Sequence, residues 1–259
     1  MSLFHRKKKA STDTMDNGVK LITAVHPKSI ISEQFRTVRT NINFMAIDKT
    51  IKTLAFTSAN ISEGKSTVTD NIAVVFAQNG KRVLLVDADL RRPTLHRSFN
   101  LNGQLGLTSI LTSQEQSLDI SQIIQPSGVE NLDVLPSGPV PPNPAELLSS
   151  QRMQAFLKAV KENYDLVILD VPPMLEVTDT QVLSHSLDAM ILVIRQGGTQ
   201  KMAAKRSVEL LKMAHANLLG YVMNDADGNA DAGYGYGYGY GYGYGYGYGY
   251  GYGYGEDDK

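Results

Sequence analysis

At 259 residues and a formal net charge of −1, the chain is long enough for one α/β domain with a full core, and it lacks the basic field of a nucleic-acid binder. It has no cysteine, which excludes a disulfide framework and a thiolate metal site and suits a reducing cytoplasm. No apolar run approaches the ~20 residues that span a bilayer, and the N-terminus has no secretory signal, so the sequence predicts a soluble protein.

Residues 1–20 read as a disordered arm, polar and carrying the basic run His5-Arg6-Lys7-Lys8-Lys9. A solvated arm is the plain reading, because four Lys/Arg are few for anchoring to anionic lipid. From Ser29 to Met45 the pattern is helical, with Ile30, Ile31, Phe35, Val38 and Ile42 on a stripe. Glu33, Arg36 and Arg39 follow one another at spacings of three on the same helix. They fit a solvated face, with pairs worth ~0.2–0.5 kcal/mol each, or an interface with a neighbouring subunit. Spacing does not choose between them.

The centre of the chain is a β-prone run, Thr53 to Ser58, followed by the turn Ala59-Asn60-Ile61-Ser62-Glu63 and then Gly64-Lys65-Ser66-Thr67. Val68 to Gln78 continues as a helix. Strand, turn and helix in this order form the setting of a phosphate-binding loop, in which backbone N–H groups and the helix dipole face the anion. Lys65 would reach the β- and γ-phosphates of ATP and the Ser66 hydroxyl would ligate Mg²⁺. Ser62, Glu63, Gly64 and Thr67 complete the nucleotide-binding set. The pattern is imperfect: Ala59 stands at its first glycine position, leaving Gly64 as the conformationally free residue. A strand-to-helix turn with an incidental Gly-Lys-Ser is the alternative.

Val83 to Val86 reads as a buried parallel strand with Asp87 and Asp89 at its carboxyl end, the edge where open α/β sheets bind ligands. Two carboxylates there could hold Mg²⁺, accept a proton from an attacking hydroxyl, or only end the strand in a turn. Leu132 to Leu135 is a further strand, leading into the proline-rich loop Ser137 to Pro144. Gln151 to Glu162 is a helix with Met153, Phe156, Leu157 and Val160 inward. Leu166 to Leu169 ends in Asp170, the position of an acidic residue beside nucleotide-bound Mg²⁺. Ala189 to Ile194 (strand), Lys201 to Ala216 (helix) and Leu218 to Met223 (strand, ending at Asn224) complete the alternation. Residues 21–230 therefore read as a doubly wound, mostly parallel α/β sheet of the P-loop NTPase type.

From residue 231 to 259 the composition changes to a Gly-Tyr repeat. Tyr234, Tyr236, Tyr238, Tyr240, Tyr242, Tyr244, Tyr246, Tyr248, Tyr250, Tyr252 and Tyr254 are 11 of the chain's 13 tyrosines, so the content is no by-product of a core. Glycine at every second place makes the segment costly to order. It is a flexible low-complexity tail or, functionally, an array of phosphate acceptors.

Taken together, these motifs resemble the bacterial tyrosine kinases of capsule and exopolysaccharide synthesis. The resemblance runs from about Ser29 to the C-terminus and includes Val86-Asp87-Ala88-Asp89-Leu90-Arg91-Arg92-Pro93, the stretch from Ser137 to Leu148, and Ile168-Leu169-Asp170-Val171-Pro172-Pro173. It implies a protein-tyrosine kinase that uses ATP and Mg²⁺ and phosphorylates its own tail in trans. Lys65, Asp87, Asp89 and Asp170 would be catalytic, with Asp87 the base and Ser66, Asp87 and Asp170 on Mg²⁺. Asn224 matches a position that contacts adenine. The helix of Glu33, Arg36 and Arg39 would assemble unphosphorylated chains into a homo-oligomeric ring. The resemblance further implies a membrane-bound activator of the polysaccharide co-polymerase type that recruits a cytoplasmic kinase to the inner face of the membrane. A cognate tyrosine phosphatase, protein substrates in sugar-nucleotide and polysaccharide pathways, and no nucleic acid partner complete the implied set. Members of that family commonly have Pro-Gly where Ile61-Ser62 stands. The alternative is a positioning ATPase that partitions DNA or places the division site. Such proteins carry a signature lysine at the position of Asn60 and lack a tyrosine tail.

Overall fold

Short β-branched and leucine-rich runs separated by amphipathic helices build a seven-stranded sheet in the computed structural model, ordered β3-β4-β2-β5-β1-β6-β7. The described residues are 13–46, 50–113 and 120–225. The chain enters through α1 (Asp13–Asn17), α2 (Ile22–Val25) and α3 (Ile30–Met45), then β1 (Thr53–Ser58), α4 (Lys65–Ala77) and β2 (Val83–Asp87). Two short helices, α5 (Leu95–Ser98) and α6 (Leu107–Thr112), precede a 3₁₀ turn (Ile120–Gln122), β3 (Gln125–Pro126) and β4 (Leu132–Leu135). Next come α7 (Pro144–Leu148), α8 (Gln151–Asn163), β5 (Leu166–Asp170), α9 (Asp179–Ser184), β6 (Ala189–Arg195), α10 (Lys201–Met213) and β7 (Leu218–Asn224). All neighbouring strands run parallel except β3, which pairs antiparallel with β4.

Strand alternation divides the core between the two faces of the sheet. Leu84, Val86, Val167 and Leu169 pack with Met153, Phe156, Leu157 and Val160 of α8. Leu54, Phe56, Val83, Leu85 and Ile168 pack with Val68, Ile72, Val75 and Phe76 of α4 on the other face. A central strand buried on both sides has to be apolar throughout, and β1, β2 and β5 are wholly buried. The register sets Asp87 opposite Asp170, and β1 lies against β5, so the carboxyl ends of these three strands form one edge. Because β1 pairs with β5 on one side and β6 on the other, that edge is also where the winding of the sheet reverses.

Three expectations change. The arm expected to be unstructured to Lys20 has structure from Asp13 onward, since α1 packs near α5 and Val19 N–H donates to Ser98 Oγ at 3.0 Å. Residues 1–12 lie outside the described residues, as does the Gly-Tyr segment with its eleven tyrosines. On α3, Phe35, Val38 and Ile42 pack as the stripe predicts, but Ile30 is 81% exposed and Ile31 47%. At 100° per residue Ile30 falls well off the line through Phe35, Val38 and Ile42. The last helix ends at Met213, ahead of Ala216, as His215 turns into the left-handed region with φ 53°.

Among the described residues, no helix is long and apolar enough to cross a membrane.

Candidate functional site

The phosphate loop takes shape from residues 59–64. Gly64 sits at the N-cap of α4 with φ 85°, and a Cβ there would lie 1.9 Å from Asn224 Nδ2. Glycine is needed on both counts. Ser62 also adopts a left-handed φ, 61°, a conformation that costs a residue with a Cβ roughly 1–2 kcal/mol. The glycine expected at this place by the resemblance would adopt it freely. Glu63 was expected among the nucleotide contacts, but its side chain turns inward. Its carboxylate accepts from Ala59 N at 2.9 Å, Asn60 N at 3.1 Å and Asn60 Nδ2 at 3.1 Å. The loop is thus clamped by an internal anion.

The first turn of α4 carries the predicted cation and hydroxyl into a nest of carboxylates. Lys65 Nζ donates to Asp170 Oδ1 at 2.6 Å and lies 3.5 Å from Asp89 Oδ2. Burial works against its charge, but Asp170 and Asp89 outweigh burial and push its pKa up to about 12. Ser66 Oγ donates to Asp170 Oδ2 at 2.6 Å, and Thr69 Oγ1 approaches Oδ1 at 3.3 Å. Asp87 is fully buried. Its Oδ2 accepts from Thr94 N and Leu95 N at 3.0 and 3.1 Å, whereas Oδ1 has no partner among the described residues. Burial first, then Asp170 and Asp89, raise its pKa well above the ordinary carboxylate range. Burial likewise raises the pKa of Asp89, whose Oδ1 accepts from Arg92 N at 3.1 Å.

A cavity of about 250 Å³ opens at this edge. Ser62, Gly64, Lys65, Ser66 and Thr67 line it on one side and Asp89, Arg91 and Arg92 on another. Asp89 is in the wall, whereas Asp87 lies behind it. Asn224 reaches the loop from the end of β7, donating from Nδ2 to Glu63 O at 3.1 Å, so it touches the loop that holds phosphates. Glu33, Arg36 and Arg39 lie apart on α3. Arg36 pairs with Glu33 at 2.6 Å and bonds Pro27 O, while Arg39 donates to Val75 O at 2.9 Å. These bonds are all within one chain, and the last ties Arg39 to α4.

Three features of the site escape sequence reasoning. Arg91 makes a two-pronged pair with Asp179, at 2.8 and 3.0 Å, and that carboxylate is fully buried. Its signal is the Leu-Arg-Arg-Pro that follows Asp89, although nothing in the sequence names the partner. Asp70, in the second turn of α4, is wholly buried, and among the described residues neither oxygen has a partner of ordinary hydrogen-bond geometry; the neighbouring Ser98 hydroxyl donates to Thr94 O at 3.3 Å. Burial and then Asp170 raise its pKa well above the carboxylate range. Thr14 and Met15 of α1 form part of the cavity wall. That contact could not be read from a segment without apolar periodicity.

The donor set suits a hard cation with nucleotide phosphates. A hydroxyl and a carboxylate converge within 2.6 Å, Asp87 Oδ1 has no partner among the described residues, and the ligands at hand there are oxygens. Among the described residues no three His, Cys, Asp or Glu are grouped to hold a metal alone. This agrees with Mg²⁺, which takes one or two carboxylates and completes its shell with phosphates and water.

Residues 51–215 match the family model described as an AAA domain. The tyrosine-protein kinase YwqD of Bacillus subtilis is 48% identical over 204 residues, covering 79% of this chain and 85% of that one. The kinase domain of the Escherichia coli tyrosine kinase ETK superposes with a TM-score of 0.77 at 32% identity, over 92% of this chain and 89% of that one. The cell division ATPase MinD of Pyrococcus furiosus superposes with a TM-score of 0.56 at 24% identity, over 66% of this chain and 71% of that one. That last likeness is one of fold alone.

Proposed function

This chain belongs to the bacterial tyrosine-protein kinases, and we propose that it transfers the γ-phosphoryl group of ATP to the tyrosines of its own C-terminal repeat, in trans between chains. The observation that carries the reading is the convergence of Lys65, Ser66 and Asp170 within 2.6 Å beside the Asp87–Asp89 pair, in a chain that holds eleven tyrosines in one tail. The positioning-ATPase alternative loses ground on Asn60, which stands where its signature lysine belongs and bonds Glu63.

In the reaction the tyrosine oxygen forms a bond to the γ-phosphorus, the bond to the β–γ bridging oxygen breaks, and ADP leaves. Lys65 places a positive charge against the phosphates, enclosed where charge interactions are strong. Backbone amides of the Ser62–Thr67 loop orient the phosphate chain. Ser66, Asp170 and Asp87 would hold Mg²⁺, which would supply positive charge against the phosphates. The phenolic proton passes to the carboxylate pair. Asp89 lines the cavity that the hydroxyl enters, and its oxygens are already engaged by Arg92 N and Lys65. Asp87 Oδ1 has no partner among the described residues, which supports Asp87 as the acceptor. Asn224 supports the loop from β7, and family membership assigns it a contact with the adenine ring.

The wider setting is part of the same proposal. Ring assembly through α3, a membrane-bound activator that brings the kinase to the inner face of the membrane, reversal by a phosphatase, and control of exopolysaccharide and capsule export rest on family membership. Each tail phosphate would add about −1.5 to −2 charges at neutral pH and favour release from an acidic site. Mixing an active chain whose tail tyrosines are serine with a Lys65→Met chain and labelled ATP tests transfer in trans. Label should accumulate on the Lys65→Met chain, and its absence there would overturn the trans reading.

A further inference from the structure

A second element of the transfer site lies in the N-terminal segment, outside the residues expected to carry the chemistry. Helix α1 has five residues, too few to hold its shape unaided. It is nevertheless seated with care. Gly18 N–H closes the helix on Thr14 O at 2.9 Å, and Gly18 itself has φ 70°. A Cβ at Gly18 would meet Ser98 N at 2.4 Å and Arg97 C at 2.7 Å, so only glycine permits the chain to lie against α5. The next residues are bonded to both neighbouring helices. Val19 N donates to Ser98 Oγ, Asn71 Nδ2 donates to Lys20 O at 3.0 Å, and Thr23 Oγ1 donates to Asn71 Oδ1 at 2.8 Å.

This clip sets Thr14 and Met15 in the cavity wall together with Asp89, Arg91, Arg92 and Thr94. They stand on the side of the general base, since the first amides of the α5 region are the ones that hold Asp87 Oδ2. The phosphate loop forms the other side, so α1 borders the acceptor end. Met15 brings a flexible thioether, and Ile61, Pro172, Pro173 and Val177 bring further apolar surface to the same cavity. A thioether beside such surface suits the edge of a phenol ring.

We propose that α1 is the acceptor-side wall of the phosphoryl-transfer cavity, with Met15 touching the incoming tyrosine ring and Gly18 fixing the position of the wall. The proposal rests on the kinase reading but is tested by binding. The chain has no cysteine, so Met15→Cys supplies a single reporter thiol. It is placed in the full-length chain with the eleven tail tyrosines changed to serine, so that only an added Gly-Tyr repeat peptide carries the ring. With a non-hydrolysable ATP analogue and Mg²⁺ present, saturating peptide should slow thiol modification about fivefold, because a ring lying on residue 15 screens the thiol from the reagent. Gly18→Val should weaken peptide binding by a similar factor, with analogue affinity within about twofold of the parent and an unchanged circular dichroism spectrum. Peptide binding without thiol protection, or no peptide binding, overturns the proposal. So does a Gly18→Val chain that binds peptide like the parent. Protection by peptide in a chain that never forms phosphotyrosine would sink the kinase reading and leave the wall in place.

Discussion

The two ends of the parallel sheet treat their carboxylates in opposite ways. At the amino end, Asp188 accepts from Lys52 N at 3.0 Å, Thr53 N at 2.8 Å and Lys161 Nζ at 3.0 Å. Burial alone would raise its pKa, but these donors overcome burial and hold it below the usual range. At the carboxyl end, Asp70, Asp87, Asp89 and Asp170 gather around Lys65, and three of their oxygens lack any partner among the described residues. Polar groups at the first end are satisfied and fasten β1 to β6. Those at the second are left short of donors, which is expensive for folding and useful for holding phosphate, cation and proton. A fold that meets its hydrogen-bonding needs almost everywhere therefore marks its working edge by failing to meet them there.

The largest test of this contrast removes the cation from the deficient end. Lys65→Met should lower phosphoryl transfer by at least about 10³-fold and weaken nucleotide binding, read by labelled transfer and by titration with a fluorescent ATP analogue. Asp87→Asn should leave nucleotide binding largely intact while transfer falls by about 10²–10⁴-fold. Equal transfer in this variant and the parent would remove Asp87 as the base.

At the satisfied end, Asp188→Ala should cost about 2 kcal/mol of stability, because charge-assisted bonds are lost, and should leave transfer per folded molecule unchanged. Its folded pKa is depressed, so its contribution is present above the unfolded value of about 3.9 and disappears as pH falls through that region. Denaturant melts at pH 7 and pH 3.5 should show the difference narrowing at acid pH. Asp70→Asn should act in the opposite sense, stabilising by about 1 kcal/mol at neutral pH by removing an unpaired buried acid. Its folded pKa is raised, so the parent loses stability as pH rises above the unfolded value, and the gain from the variant should grow from pH 5 to pH 8. Ser62→Gly is the smallest step. Relief of the left-handed φ, partly offset by the freedom glycine adds to the unfolded chain, should add about 0.5 kcal/mol of stability, seen as a modest rise in melting temperature.

Much of the sheet was legible because buried parallel strands leave a strong mark. Val83 to Val86 and Leu166 to Leu169, each ending in aspartate, could belong only to apolar strands with their acids at one edge. The Gly-Lys-Ser-Thr after β1 located the phosphate loop for the same local reason. Six short helices and the two-residue strand β3 were missed, since four to six residues carry too little periodicity to be read. Partners distant in sequence were also hidden. Nothing local links Arg91 to Asp179, and α1 acquires its place through Gly18 and Val19 against α5. Ile30 shows the converse error, an apolar residue near enough to a stripe to be counted in it and yet exposed.

Where the γ-phosphoryl group goes separates a kinase from a nucleotide switch most directly. The purified full-length chain, incubated with γ-labelled ATP and Mg²⁺, should acquire alkali-stable label on tyrosine, recovered in the Gly-Tyr repeat, and a Lys65→Met chain incubated alone should not. Label released only as inorganic phosphate, with none on tyrosine, would contradict it and return the site to that of a nucleotide-switched ATPase.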